Sequence, residues 1–182
     1  MKKFTHPLLF TLFLLGTFAF TKSDKWYQFK SKPFGFKIDF PEKPTEQTRI
    51  VNTEAGEGKL TIFMFDASKV KSDDNLVYMI VCGENPDSTI NSDNKDLSAY
   101  FKKSVDGAVN GVHGKLLVES IISLDGFPGR EIRVDFKDGL AVIKMRMYLI
   151  HNKLYMLETI TETSLDFNKS INKFMDSFKL IK

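Results

Sequence analysis

Apolar and polar residues alternate along most of this chain, and the period lengthens in only two places. Phe36-Lys37-Ile38-Asp39-Phe40 puts an apolar side chain at every second position, the pattern of a strand with one buried face, and Pro41 and Pro44 end it. Trp26-Tyr27-Gln28-Phe29 leads into that segment. Further strands are predicted at Gln47–Thr53, Lys59–Asp66 and Leu76–Gly83, followed by a loop over Glu84–Asn94 that is rich in Asn, Asp and Ser and contains Pro86. Four more follow at Lys115–Leu124, Arg130–Lys137, Leu140–Ile150 and Leu154–Thr161.

The helical period is found first at Leu97, Tyr100, Phe101, Ser104, Val105 and Ala108, which form one stripe with Lys102, Lys103 and Asp106 outside it. Gly107 and Gly111 mark the fraying end of that helix. A second helix is expected from Thr163, where Thr163 and Asp166 match a capping box, and its stripe is Phe167, Ile171, Phe174, Met175 and Phe178. Both helices need an apolar surface to lie on, which the sheet supplies. The expected fold is therefore α+β: a central antiparallel β-sheet flanked by two main α-helices.

One hairpin can be tested for internal consistency. With Asp138-Gly139 as its turn, Ile132 pairs with Met145, Val134 with Ile143 and Phe136 with Ala141, all apolar and all on one face. The other face sets Glu131 against Arg146, a favourable match, and Arg133 against Lys144, which needs an anionic group nearby. A slip of one residue would destroy the pattern, so this register is the expected one.

Two segments carry a family resemblance. Gly35-Phe36-Lys37-Ile38-Asp39-Phe40-Pro41 looks like the opening strand, and Phe174-Met175-Asp176-Ser177-Phe178-Lys179-Leu180 like the closing helix, of the PsbP/Mog1-like group; the order of elements between them is similar as well. The resemblance spans most of residues 34–182. It implies a sheet–helix sandwich and a largely non-enzymatic membership of binding and accessory proteins, among them photosystem accessory subunits and a partner of a small GTPase. No functional residue of the group can be matched here.

The N-terminus changes the picture of where the chain works. Met1-Lys2-Lys3, the apolar run around Leu8–Leu15, and small residues at Thr17 and Ala19 read as a secretory signal over residues 1–19, cleaved after Ala19. Lys22, Asp24 and Lys25 stop the run short of the roughly 20 apolar residues that a membrane span requires. The sole cysteine, Cys82, is too distant to take a lipid at the cleavage site. The Lys-Lys start and short apolar core resemble a bacterial export signal, which places the mature chain in the periplasm or the medium as one domain, residues 20–182. No stable membrane span is expected after cleavage.

Charge and composition narrow the chemistry. The formal net charge of +3 falls to near neutrality once Lys2 and Lys3 leave, and aromatics are not interleaved with basic residues, so nucleic acid is not an expected partner. One cysteine permits no internal disulfide, and Cys82 sits in Val77-Tyr78-Met79-Ile80-Val81-Cys82 as a small buried hydrophobe. His113 and His151 lie in turns, and no zinc spacing can be written with them. Asp87, Asn91, Asp93, Asn94 and Asp96 crowd one loop without the glycine and glutamate of an EF-hand. No nucleophile elbow, phosphate loop or spaced carboxylate pair occurs. The expected protein is not an enzyme and holds no cofactor or metal. The sequon Asn168-Lys169-Ser170 carries no meaning in a bacterial export.

The best lead to function is Asp125-Gly126-Phe127-Pro128-Gly129-Arg130, a rigid turn that could hold Phe127 outward at its tip. Arg130 lies beside it, and Arg133, Lys144 and Arg146 follow along the polar face. An aromatic tip next to an arginine-bearing face could grip an anionic group or a protein partner; the competing reading is an ordinary hairpin with a charged face and Phe127 folded inward. The function expected first is a secreted or periplasmic non-catalytic binding or accessory domain that engages a protein partner in the cell envelope. The alternatives are a small-ligand carrier or sensor, with its ligand between sheet and helix, and a hydrolase with a dispersed site.

Overall fold

The computed structural model describes residues 25–53 and 56–181; the expected export signal lies outside them. The strands divide between two sheets. In chain order the elements are β1 (Tyr27–Ser31), β2 (Phe36–Phe40), β3 (Thr45–Thr53), β4 (Gly56–Asp66), β5 (Asn75–Glu84), α1 (Ser98–Gly111), β6 (Lys115–Leu124), β7 (Phe127–Phe136), β8 (Ala141–Ile150), β9 (Lys153–Glu162), α2 (Lys169–Ser177) and β10 (Lys179–Leu180). A seven-stranded antiparallel sheet runs in the order β3-β4-β5-β9-β8-β7-β6, and a small sheet in the order β1-β2-β10. No helix among the described residues is long and apolar enough to cross a membrane.

This corrects the expected α+β sandwich. The chain is mostly β among its described residues, with helices of only 14 and 9 residues, and one face of the large sheet is covered by a second, three-stranded sheet together with α2. Two local causes account for the difference. Trp26-Tyr27-Gln28-Phe29 is not a mere lead-in, because Tyr27–Ser31 pairs along the whole of Phe36–Phe40 and draws that strand out of the main sheet. The final helix is also shorter than its pattern. Thr163–Leu165 makes a single 3-10 turn, Phe167 takes a left-handed φ of 66°, and the helix begins only at Lys169. Its cap is Asn168, whose Oδ1 accepts from Ile171 N at 3.1 Å, while Thr163 Oγ1 donates to the Gly139 carbonyl at 2.7 Å.

The layer between the sheets is aromatic. Phe36, Ile38 and Phe40 of β2 are fully buried against Phe63, Tyr78, Ile80, Cys82, Tyr155 and Leu157 of the large sheet and Phe174 and Phe178 from the C-terminal segment. Ring centres lie 5.1 Å apart for Phe40–Phe174, 5.3 Å for Tyr78–Phe174 and 5.5 Å for Phe36–Phe178, with tilted or edge-on geometry. Burial pushes the Cys82 thiol up and keeps it protonated, in keeping with a packing role. The opposite face carries α1, whose Phe101 and Val105 cover Ile132, Val134, Ile143 and Met145. The β7–β8 register is the expected one, closed by Asp138 and Gly139 in left-handed conformation with Leu140 N donating to Lys137 O.

A polar pin fixes α2 to the sheet. Asn75, buried at the start of β5, donates to Tyr78 Oη at 2.7 Å, and its Oδ1 accepts from Thr161 Oγ1 and from Asn168 Nδ2. Tyr78 Oη in turn donates to Asp73 Oδ1 at 2.7 Å. These bonds satisfy groups that would otherwise be costly to bury, and they fix the position of the α2 cap.

One buried acid is at odds with its surroundings. Glu158 of β9 stands opposite Met79 of β5 and Met145 of β8, and burial raises its pKa to about 7. An acid with a raised folded-state pKa costs stability as pH climbs from its unfolded value through 7, and the full cost remains above that. Glu158→Gln should therefore stabilise the protein at pH 8 by on the order of 3 kcal/mol, with the gain vanishing near pH 4. Urea denaturation at the two pH values tests this; an equal effect at both would show that ionisation is not the cause.

Candidate functional site

The residues singled out in the sequence do not form one surface. Successive strand residues face opposite sides, so Arg130 joins the α1 face while Arg133, Lys144 and Arg146 share the other. Arg130 spends its charge locally: Nε lies 3.2 Å from Glu119 Oε1, Nη1 donates to the Gly129 carbonyl at 2.9 Å, and the guanidinium sits 4.6 Å from the Phe101 ring centre.

The opposite face is an ion seam. Arg146 Nε donates to Glu131 Oε2 and Nη1 to Asp176 Oδ1, each at 2.6 Å, and Lys144 Nζ lies 3.4 Å from Glu131 Oε1. Burial alone would lower the Arg146 pKa, but its bonds to Glu131 and Asp176 outweigh this and hold it up. Arg133 pairs with Asp166, and its guanidinium lies 4.2 Å from the ring centre of Phe167. The anionic group that the Arg133–Lys144 juxtaposition needs is thus internal: Asp166 serves Arg133 and Glu131 serves Lys144. Three cations meet three carboxylates, most of them half-buried, so the seam joins the sheet to the α2 region and leaves no surplus charge to attract an anion.

Phe127 takes the inward of its two expected positions. The β6–β7 turn is Asp125-Gly126, with φ values of 51° and 89°, and Phe127 already belongs to β7. Pro128-Gly129 lies within the strand. A Cβ on Gly129 would come within 2.5 Å of the Met147 carbonyl and 2.7 Å of the Tyr148 ring, so the strand passes there only with glycine. The Phe127 ring, half-buried, meets His151 edge-on at 5.2 Å.

That contact forms one wall of an open groove of about 1040 Å³ at the end of the two sheets, where Phe34, Phe127, Ile150, Tyr155, Leu180 and Ile181 supply most of the apolar lining. Its rim is polar, with Asp125, His151, Asn152 and the pair Lys153–Glu84, whose Nζ and Oε1 are 3.3 Å apart. Tyr155 Oη donates to the Phe34 carbonyl at 2.7 Å, which ties the small sheet to the floor, and burial raises its pKa to about 12, so it stays a phenol. Of the groove, sequence reasoning found only Phe127. The other members come from the β1–β2 turn, the β8–β9 turn and the C-terminus, and only the sheet pairing brings them together; the sole hint was the His151-Asn152 turn set among Ile150, Leu154 and Tyr155. A smaller hollow of about 300 Å³ holds Lys25, Lys169 and Lys173, but Glu42 and Asp73 share it, and Asp73 already accepts from Tyr78.

Asp166 is the carboxylate on which the Arg133 end of the seam depends. Asp166→Ala should cost about 1–3 kcal/mol, the range for a lost bond to a charged group. The loss should largely vanish when Arg133 is already Met, as a double-mutant cycle by urea denaturation will measure.

No family model matches the chain, and no curated protein matches it. Solved structures do. The solution structure of cyanobacterial PsbP from Synechocystis sp. PCC 6803 aligns over 91% of this chain and 98% of that one, with a TM-score of 0.54 at 16% identity. A Pseudomonas aeruginosa protein of unknown function covers 76% of this chain and 84% of its own length at 8% identity and a TM-score of 0.36. A Bacteroides thetaiotaomicron protein covers 85% and 48% at 10% identity and a TM-score of 0.39. The last two superpose too loosely to bear on the fold, whereas the first does so over nearly its entire length: this chain has a PsbP-like fold.

Proposed function

We propose that the protein is an exported, non-catalytic accessory domain that engages a protein partner through the groove between the β8–β9 turn, the β6–β7 turn and β10. The observation that carries this reading is the groove itself: an aromatic and aliphatic floor, open along its length, with a rim of mixed charge. A floor of Phe34, Phe127 and Tyr155 beneath a polar rim matches the anatomy of protein interfaces, in which aromatic anchors sit inside a solvated border. The carrier alternative puts its ligand between sheet and helix; between the large sheet and α2 the rings of Phe40, Tyr78 and Phe174 pack against one another. The export signal in the sequence supports placing the encounter in the cell envelope. The family resemblance supports an accessory role rather than catalysis.

Crosslinking of the tagged protein in its own host, followed by identification of what co-purifies, tests the proposal. The expected result is one near-stoichiometric protein, lost in Phe127→Ala and in the rim variant Lys153→Glu and retained in Arg133→Met, which alters the seam and not the groove. Recovery of the bait alone would count against a protein partner. Retention of the partner in both groove variants would move the contact elsewhere.

A further inference from the structure

β6 and β3 are the two edges of the large sheet, and they are built differently. β3 exposes Ile50 as well, but sets it among Glu46, Arg49 and Thr, Gln and Asn residues, the charged and polar dressing that keeps an edge from pairing with another chain. β6 lacks that protection beyond its first residue. From Val118 to Leu124 it has no proline or lysine, and its one charge, Glu119, is already paired with Arg130 of β7. Val118 is exposed, and Ile121 is 81% exposed. A free backbone edge with this composition is a template for one more strand.

The register points to what that strand is. A bulge between Leu116 and Val118 interrupts the regular ladder, so the uninterrupted edge is Val118–Leu124 and its midpoint is Ile121. A two-fold axis at Ile121 sets Val118 against Leu124, Glu119 against Ser123, Ser120 against Ile122, and Ile121 against its own copy. No like charges meet, the two glutamates face neutral hydroxyls, and the exposed isoleucines cover each other. The stretch is thus complementary to itself, which is the requirement for a closed isologous pair.

We propose that β6 is a homodimerisation edge, joined to a second copy of this chain in antiparallel fashion about Ile121 so that the two large sheets become one. A single strand pairing is small beside the roughly 800 Å² per partner of a standard interface, so the dimer forms reversibly and in proportion to concentration.

Sedimentation velocity over a concentration series on the purified protein provides the test, together with variants that add one exposed cysteine to the buried Cys82, under mild oxidation. The expected result is a mass that climbs towards twice the monomer, and a return to monomer in Ile121→Lys with an unchanged melting curve, since that side chain packs little in the monomer. Ile121→Cys should form a disulfide dimer readily, because residues facing each other across an antiparallel pair stand within bonding reach, and Ser120→Cys should do so far less. A monomer at every concentration, or a dimer that survives Ile121→Lys, would overturn the proposal; preferential crosslinking through Ser120→Cys would overturn its register.

Discussion

The structure depends on the aromatic layer between the two sheets. Phe36 and Phe40 belong to a three-stranded sheet too small to hold together alone, and β10 contributes only two residues to it. What keeps it in place is burial of its inner face against Phe63, Tyr78 and Tyr155, with Phe174 and Phe178 closing the sides. Each ring brings a large apolar area and a preferred tilt, so the layer fixes both the distance and the orientation of the sheets. The groove is a consequence. It lies where this layer runs out, between the small sheet and the β8–β9 turn, and its floor is the outermost part of the same aromatic set.

Polar groups follow the same logic of placement. On the Arg133 face the sheet brings together cations and carboxylates that would be ordinary on a solvated strand, and the α2 region then covers them. Covering the charges obliges each to find a partner, and the carboxylates come from the covering segment itself, Asp166 and Asp176, as well as from Glu131. The outcome is a seam that orients α2 relative to β7 and β8 and has little charge to offer a ligand. The Asn75 network performs the corresponding task at the α2 cap. The arginines of this face are thereby committed to holding α2 against the sheet.

Much of this was legible in the sequence where the signal is local. Alternation located the strands of the large sheet, the Asp138-Gly139 turn fixed the register of β7 and β8, and the stripe from Leu97 to Ala108 located α1. What escaped was set by distant partners. Nothing near Tyr27–Ser31 states that it will pair with β2 apart from the main sheet, and the Phe167 stripe position is overruled by a left-handed turn that aims its ring at Arg133. Phe127 had two readings, an outward tip and an inward fold, and the strand position with Gly129 passing beneath Tyr148 gives the inward one. Of the groove only Phe127 was legible, since separate turns and the C-terminal segment compose it.

Native-state hydrogen exchange tests the central claim most directly. If the aromatic layer makes the two sheets one cooperative unit, the hydrogen-bonded amides of β2 will exchange only through global unfolding, at the same free energy as those of β8 and β9. If β1, β2 and β10 instead open together at a clearly lower free energy while β8 and β9 remain protected, the layer is a veneer on an independent sheet and the account is wrong.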